Sequence, residues 1–230
     1  MPKQRQLPYL KKLAQRGKVA VWLIDGAWLR TNIEQEWDNF GHHYGFKFIP
    51  ENEIWLDVQA HPDEQQFFIT HCLVERRLLI RGIDEETARK KANEAEIEAR
   101  KQAGDLKKAH SDGHLANPEI VLETLWKKLT NGVSVWIVDG RLVRSIFDVE
   151  FTAGGHDHVY EFIPQKQVWI DDDITDVERP YVLLHELHER NIMEQGMDYD
   201  HAHEESSKLE LHHRHHPEEL HAALSEEGWE

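Results

Sequence analysis

Apolar and polar positions along the chain fall into a block of short elements that occurs twice. Each block opens with an apolar–basic–basic–apolar step, Leu10-Lys11-Lys12-Leu13 and Trp126-Lys127-Lys128-Leu129. This predicts a short amphipathic helix over 8–16 and again over 118–130. Gly17 and Gly132 would sit at the left-handed C-terminal position, and Asn117-Pro118 would supply a cap and a first-turn proline. Runs rich in Val, Ile and Trp at 19–24 and 133–138 predict strands. Asp-Gly at 25–26 and 139–140 predicts a turn. Strand-like stretches follow over about 28–37 and 142–151. Glycine-containing loops come next at Gly41-His42 and Gly154-Gly155-His156, then a strand ending at Ile-Pro, then strands at 53–57 and 167–171. Two amphipathic helices close each block, about 63–80 with 84–102 and about 177–194 with 198–213. Gly82 and Gly196 break each pair, and Asp84 and Asp198 are placed to cap the second helix.

The two blocks are copies of one another. Val21-Trp22-Leu23-Ile24-Asp25-Gly26 returns as Val135-Trp136-Ile137-Val138-Asp139-Gly140, and Phe48-Ile49-Pro50 returns as Phe162-Ile163-Pro164. The offset of 114 holds without a gap from Val19/Val133 to Arg100/Arg214, with 24 identities over those 82 positions. Such self-similarity marks an internal duplication. The expected architecture is α+β: two copies of a module made of a short helix, a small antiparallel sheet and a closing helix hairpin. The expected division is a first repeat over 1–102, a linker over 103–116, a second repeat over 117–214, and a loosely held acidic, His-rich tail over 215–230.

Composition narrows the function classes. Of 230 residues, 40% are hydrophobic, enough to bury a core without staples. The formal charge of −16 argues against nucleic acid and against an anionic membrane surface as partners. The longest apolar run, Val19 to Ile24, is far too short for a membrane span. A single cysteine, Cys72, leaves no internal disulfide. These features together predict a cytoplasmic protein. The count of 17 histidines stands out and favours metal contact.

The histidines have a focus in the second copy. His185 and Glu189 lie one turn apart on the helix expected over 177–194, so both face the same way. Both are zinc-ligand types, and Glu186 beside them suits a general base acting on metal-bound water. His203 is the expected third ligand. Glu189 lies seven residues before Gly196 and His203 seven after it, so an antiparallel helix hairpin sets them level. Ala202 and Ser206 are small enough to let the helices approach. Glu210 is placed to orient or replace a ligand. His156 has a metal or substrate role open to it, with a loop-stabilising hydrogen bond as the simpler reading. A string such as His185-Glu186-x-x-Glu189 also arises by composition in so acidic and His-rich a chain, and a His–Glu pair of this kind can be a packing feature alone.

The first copy is an internal control. His71, Glu75 and Arg76 match His185, Glu189 and Arg190, but Cys72 stands at the position of Glu186 and Arg89 at that of His203. The base and third ligand are therefore missing there, and Arg89 would repel a cation. Cys72 reads as a small buried apolar residue. Asp25/Asp139 with Arg30/Arg144 read as a turn and an ion pair, and Asp57/Asp171 as structural. Trp22, Trp55, Trp136 and Trp169 read as packing residues. In the tail, His212, His213, His215, His216 and His221 read chiefly as solvated helix surface, with adventitious metal binding open to them.

From 133 to 210 the second copy resembles uncharacterised bacterial and phage-type proteins that carry a zincin-like HExxE helix. The residues that carry the likeness are Val135-Trp136-Ile137-Val138-Asp139-Gly140, Gly154-Gly155-His156, Phe162-Ile163-Pro164, Trp169-Ile170-Asp171, His185-Glu186-x-x-Glu189 and Tyr199-x-x-Ala202-His203. Residues 19–96 carry it in degenerate form. The resemblance implies a metallopeptidase-like centre in the second copy. The leading expectation is a zinc-dependent hydrolase with His185, Glu189 and His203 on the metal and Glu186 as base. Its substrate would be a peptide or protein aligned on strand 167–171, should that strand lie at a sheet edge. The alternative is a non-catalytic structural or interaction module, with or without bound metal.

Overall fold

A computed structural model describes residues 8–104 and 117–229. The chain divides into two compact units, Met1–Ala99 and Arg100–Glu230. Of the expected linker 103–116, residues 105–116 lie outside the described residues. The architecture is α+β, and each unit carries a four-stranded sheet with helices after it. No helix among the described residues is long and apolar enough to cross a membrane.

In the first unit β1 (Tyr9–Arg16), β2 (Val19–Ile24), β3 (Phe40–His42) and β4 (Glu53–Asp57) form a sheet of order β1-β2-β4-β3. Helix α1 (Gly26–Asn32) follows β2, and α2 (Gln65–Ile80) and α3 (Glu85–Ala103) follow β4. The second unit repeats this with β5 (Leu122–Lys128), β6 (Ser134–Val138), α4 (Gly140–Ile146), β7 (Gly154–His156), β8 (Gln167–Asp171), α5 (Arg179–Glu194) and α6 (Tyr199–His215), in the order β5-β6-β8-β7. A last helix, α7 (Leu220–Glu226), has no counterpart among the described residues of the first unit. The sheets are mixed, not antiparallel as the sequence suggested: β2 runs parallel to β4, and β6 to β8. A parallel pair needs a crossover, and the chain from α1 through β3, or α4 through β7, supplies it.

Period-two alternation distributes the strand residues to two faces. Val135, Ile137, Val168 and Ile170 join Leu183, Leu184 and Leu187 of α5 in one buried cluster. Their neighbours Val138 and Trp169 join Leu142 and Val143 of α4, with Phe151 and Ile163, in another. The first unit repeats this division, with Val21, Ile54 and Leu56 on Phe68 and Cys72 of α2, and Ile24 and Trp55 on Leu29 and Trp37. The strand tryptophans are thus packing residues.

Several sequence expectations are corrected. Tyr9–Arg16 and Leu122–Lys128 are edge strands, not helices. The register of β5 shifts between Leu122/Thr124 and between Leu125/Lys127. Each bulge adds a residue to the strand, and this turns a two-residue alternation into the three-residue spacing that resembles a helix. Asn117 does cap with a following proline, over a single 3-10 turn, Pro118–Val121. Asp25 and Asp139 open helices, not turns followed by strands. The Asp25 carboxylate accepts from the Trp28 N–H at 2.9 Å and that of Asp139 from the Leu142 N–H at 2.8 Å. These caps and burial under the sheet outweigh the β-branched and aromatic composition of α1 and α4. The expected glycine loops are the short strands β3 and β7, and the expected strand before Ile-Pro is a series of turns. Strand 167–171, which could align a peptide by strand addition only from a sheet edge, lies between β6 and β7. The tail is docked: Leu224 is buried, Trp229 packs edge-on against Trp126 at 5.0 Å, and the Glu227 carboxylate accepts from Asn191 Nδ2 at 2.8 Å.

The recurring arginine pairs with a different aspartate from the one expected. Arg30 Nη1 donates to the buried Asp57 at 2.9 Å, and Arg144 likewise donates to Asp171, where both partners are buried. Asp57 and Asp171 sit against the first residue of α1 and α4. A Cβ on Gly26 would lie 1.8 Å from the Asp57 carboxylate, and one on Gly140 2.2 Å from that of Asp171. Only glycine leaves room for the pair. Gly140→Ala should therefore cost about 3 kcal/mol or more, because it drives the buried carboxylate off its guanidinium. Chemical denaturation of the full chain measures this, and an unchanged midpoint would contradict it.

Candidate metal centre

Helices α5 and α6 form the expected hairpin about Gly196, whose φ of +100° suits glycine. Asp198 caps α6 by accepting from the His201 N–H at 3.2 Å. Ala202 and Ser206 are fully buried, as helices in close approach require. This packing brings His185 and Glu189 of α5 level with His203 of α6.

Three donor atoms converge. His185 Nε2 lies 3.2 Å from His203 Nδ1 and 3.3 Å from Glu189 Oε2, and His203 Nδ1 lies 2.9 Å from Glu189 Oε2. Donors about 2.1 Å from one zinc ion stand about 3.4 Å apart in a tetrahedron. The triangle is thus within a few tenths of an ångström of one tetrahedral face. Two imidazoles and one carboxylate are also a donor set suited to zinc.

Hydrogen bonds behind the triangle fix its orientation. Glu210 Oε2 lies 3.1 Å from His185 Nδ1, so a proton on Nδ1 leaves the Nε2 lone pair facing the other donors. His156 Nδ1 accepts from the His158 N–H at 3.2 Å, so its Nε2–H donates to Glu189 Oε1 at 3.0 Å. Carboxylate–histidine and histidine–carboxylate support of this kind accompanies metal ligands. Glu210 and His156 therefore stand behind the donor triangle: Glu210 orients His185, and His156 orients Glu189.

Burial and hydrogen bonding set the charges. Burial pushes the Glu189 carboxyl up, but hydrogen bonds with His156, His185 and His203 prevail and hold it well below the ordinary carboxylate range. Burial lowers His185, yet Glu189 and Glu210 raise it well above an ordinary imidazole. Glu186 is the exception. Burial dominates there and lifts its carboxyl to about 8. The cluster is arranged to surround positive charge.

A cleft of about 110 Å³ opens beside the triangle, lined by His185, Glu186, Glu189 and His203 with Thr152, Gly154, Gly155, Val159, Tyr160 and Tyr199. A Cβ on Gly154 would lie 3.0 Å from both Cγ and Oε1 of Glu186, so glycine makes room for the acid. The offset of 114 contains the signal for this residue, because Phe40 stands in its place in the first unit. There Phe40 stacks on Phe68 with ring centroids 4.7 Å apart and lies 5.0 Å from the His71 ring. The first unit keeps the supporting bonds, His42 Nε2 to Glu75 at 2.8 Å and His71 Nδ1 to Glu96 at 3.0 Å. It lacks the rest, with Cys72 and Arg89 at the positions of Glu186 and His203. Tyr199, whose ring lies 5.6 Å from that of His203, gave no separate sequence signal as a lining residue.

Other candidates fall elsewhere. Asp171, read as structural, is committed to Arg144. His156 is part of a strand rather than a flexible loop. No family model, curated protein or solved structure matches the chain.

Cys72 is fully buried. Burial, then the nearby Glu75 and Glu96 charges, push its thiol well above the ordinary range. The folded chain should therefore react with a thiol reagent at neutral pH only as fast as it opens, at least 100-fold slower than the denatured chain. Prompt labelling of native protein would contradict this.

Proposed function

We propose that the second unit is a zinc-dependent hydrolase module, with His185, Glu189 and His203 holding the ion and Glu186 acting as the base. The observation that carries this reading is the triangle of donor atoms, backed by Glu210 and His156 and open on one side to the cleft. A bound zinc ion would lower the pKa of a coordinated water toward neutrality and polarise a substrate carbonyl. Glu186 follows His185 in α5 and lines the same cleft. Burial holds its carboxyl at about 8 without an ion; beside a bound dication it would ionise, accept the proton of the attacking water and return it to the leaving group. Gly154 keeps that carboxylate unobstructed, and Tyr160 and Tyr199 flank the space where a substrate acyl group would lie. The substrate class that fits is a peptide or related amide, reached from the cleft mouth and not from strand β8.

A second reading is a bound metal without turnover, or a His–Glu network kept for packing. It is favoured by one observation: the His42–Glu75 and His71–Glu96 contacts persist in the first unit, where no base is present.

Metal analysis of protein prepared without a His tag separates these readings. Loss of one zinc equivalent in His203→Ala but not in His71→Ala is the expected pattern. Glu186→Gln should keep zinc and lose amide hydrolysis by 100-fold or more. Folded His203→Ala with zinc content equal to wild type would contradict the reading. His156→Ala leaves all three donors in place but frees Glu189 to turn, and should weaken zinc about 10- to 100-fold in a chelator competition. An affinity equal to wild type would show that His156 does not support the centre.

A further inference from the structure

The end of α6 carries a second cluster that the proposed hydrolytic centre does not use. His212, His213 and Glu219 each present one ligand atom, and these atoms lie within 4.8 Å of one another. His212 Nε2 is 3.1 Å from Glu219 Oε2. His213 is only 6% exposed, and its Nδ1 is buried with no hydrogen-bond partner. A buried, unpartnered imidazole nitrogen beside a histidine–glutamate pair costs stability unless something completes it. His216, one turn after His212, brings its ring to 4.5 Å from the His212 ring and thickens the imidazole cluster. Two features add negative potential. Glu218 and Glu219 occupy the 3-10 turn Pro217–Glu219, and the carbonyl end of the 17-residue helix α6 points the same way.

We propose that His212, His213 and Glu219 form a second binding site for a divalent first-row transition ion of the zinc type. The donor set is imidazole with one carboxylate, which suits zinc, nickel or copper and not magnesium or calcium. His212 lies nine residues beyond His203, roughly 13 Å along the helix axis, so no ligand is shared between the sites. The position gives the site a structural task. His212 and His213 end α6, while Glu219 belongs to the turn that leads into α7. An ion held by all three fastens α7 to α6. Helix α7 in turn braces α5, because Glu227 lies 2.7 Å from His188 Nδ1 and accepts from Asn191. His188 and Asn191 flank Glu189, so this clip steadies the helix that carries the proposed hydrolytic residues without touching them.

Untagged full-length protein, stripped with a chelator and titrated with zinc alone, tests the site. Two readouts are needed: zinc bound per chain, and the rate of proteolysis within 216–229. Wild type should bind a zinc equivalent at micromolar concentration that slows cleavage of this segment at least tenfold. His212→Ala and Glu219→Gln alter exposed side chains, and each should lose that equivalent and the protection. His203→Ala should keep both, whatever becomes of the zinc at the first centre, so failure of the hydrolase reading leaves this result intact. Magnesium should not substitute. Zinc binding that leaves cleavage unchanged, protection retained in His212→Ala, or binding only at millimolar zinc as an adventitious ion, would each overturn the proposal.

Discussion

The second unit is organised around one buried carboxylate. Glu189 is 3% exposed, and taking a carboxylate that far from water is costly unless its oxygens are fully matched. Its partners come from three separate elements: His156 from β7, His185 from its own helix and His203 from α6. The requirement to satisfy Glu189 thus fixes the height of α6 against α5 and the position of the short edge strand against both. Small residues at the helix contact and glycines in β7 are what allow so close an approach. The same requirement produces the chemistry. Three lone pairs on two imidazoles and one carboxylate cannot face one point without positive charge there, and either shared protons or a metal ion must supply it.

The duplication shows which parts of this arrangement belong to the module and which to the site. Histidine on the short strand, histidine and glutamate on the first helix, and glutamate on the second recur in both units, together with their supporting contacts. The substitutions that bear on the site line the cleft. Gly154, Glu186 and His203 in one unit face Phe40, Cys72 and Arg89 at the same positions in the other. Phe40 packs on Phe68 and the His71 ring in the first unit, and an arginine stands at the sequence position of the third donor. The module therefore tolerates loss of the site while keeping its network. This is expected if the network also holds the sheet edge to the helices.

Much of this was legible in the sequence because it depends on spacing. The constant offset revealed two like units, and counting outward from Gly196 set Glu189 level with His203. The strands at 19–24 and 53–57, their repeats and both helix hairpins followed from local pattern. The opening strands did not, because bulges in an edge strand disguise its alternation. Helices α1 and α4 did not either, because an aspartate cap and tertiary burial decide them against composition. The glycines of β7 were read as loop formers, whereas in the structure they are close-approach residues, with Gly155 against Tyr160 and Gly154 against Glu186. The docking of the tail was missed because it depends on single long-range contacts of Trp229 and Glu227, which no local pattern encodes.

The most direct measurement is anomalous scattering at the zinc edge from crystals of the zinc-loaded full chain. The account predicts a peak about 2.0–2.2 Å from each of His185 Nε2, Glu189 Oε2 and His203 Nδ1, with a further coordination position facing the cleft beside Glu186. A map with these three side chains joined only by hydrogen bonds and no peak among them would contradict it.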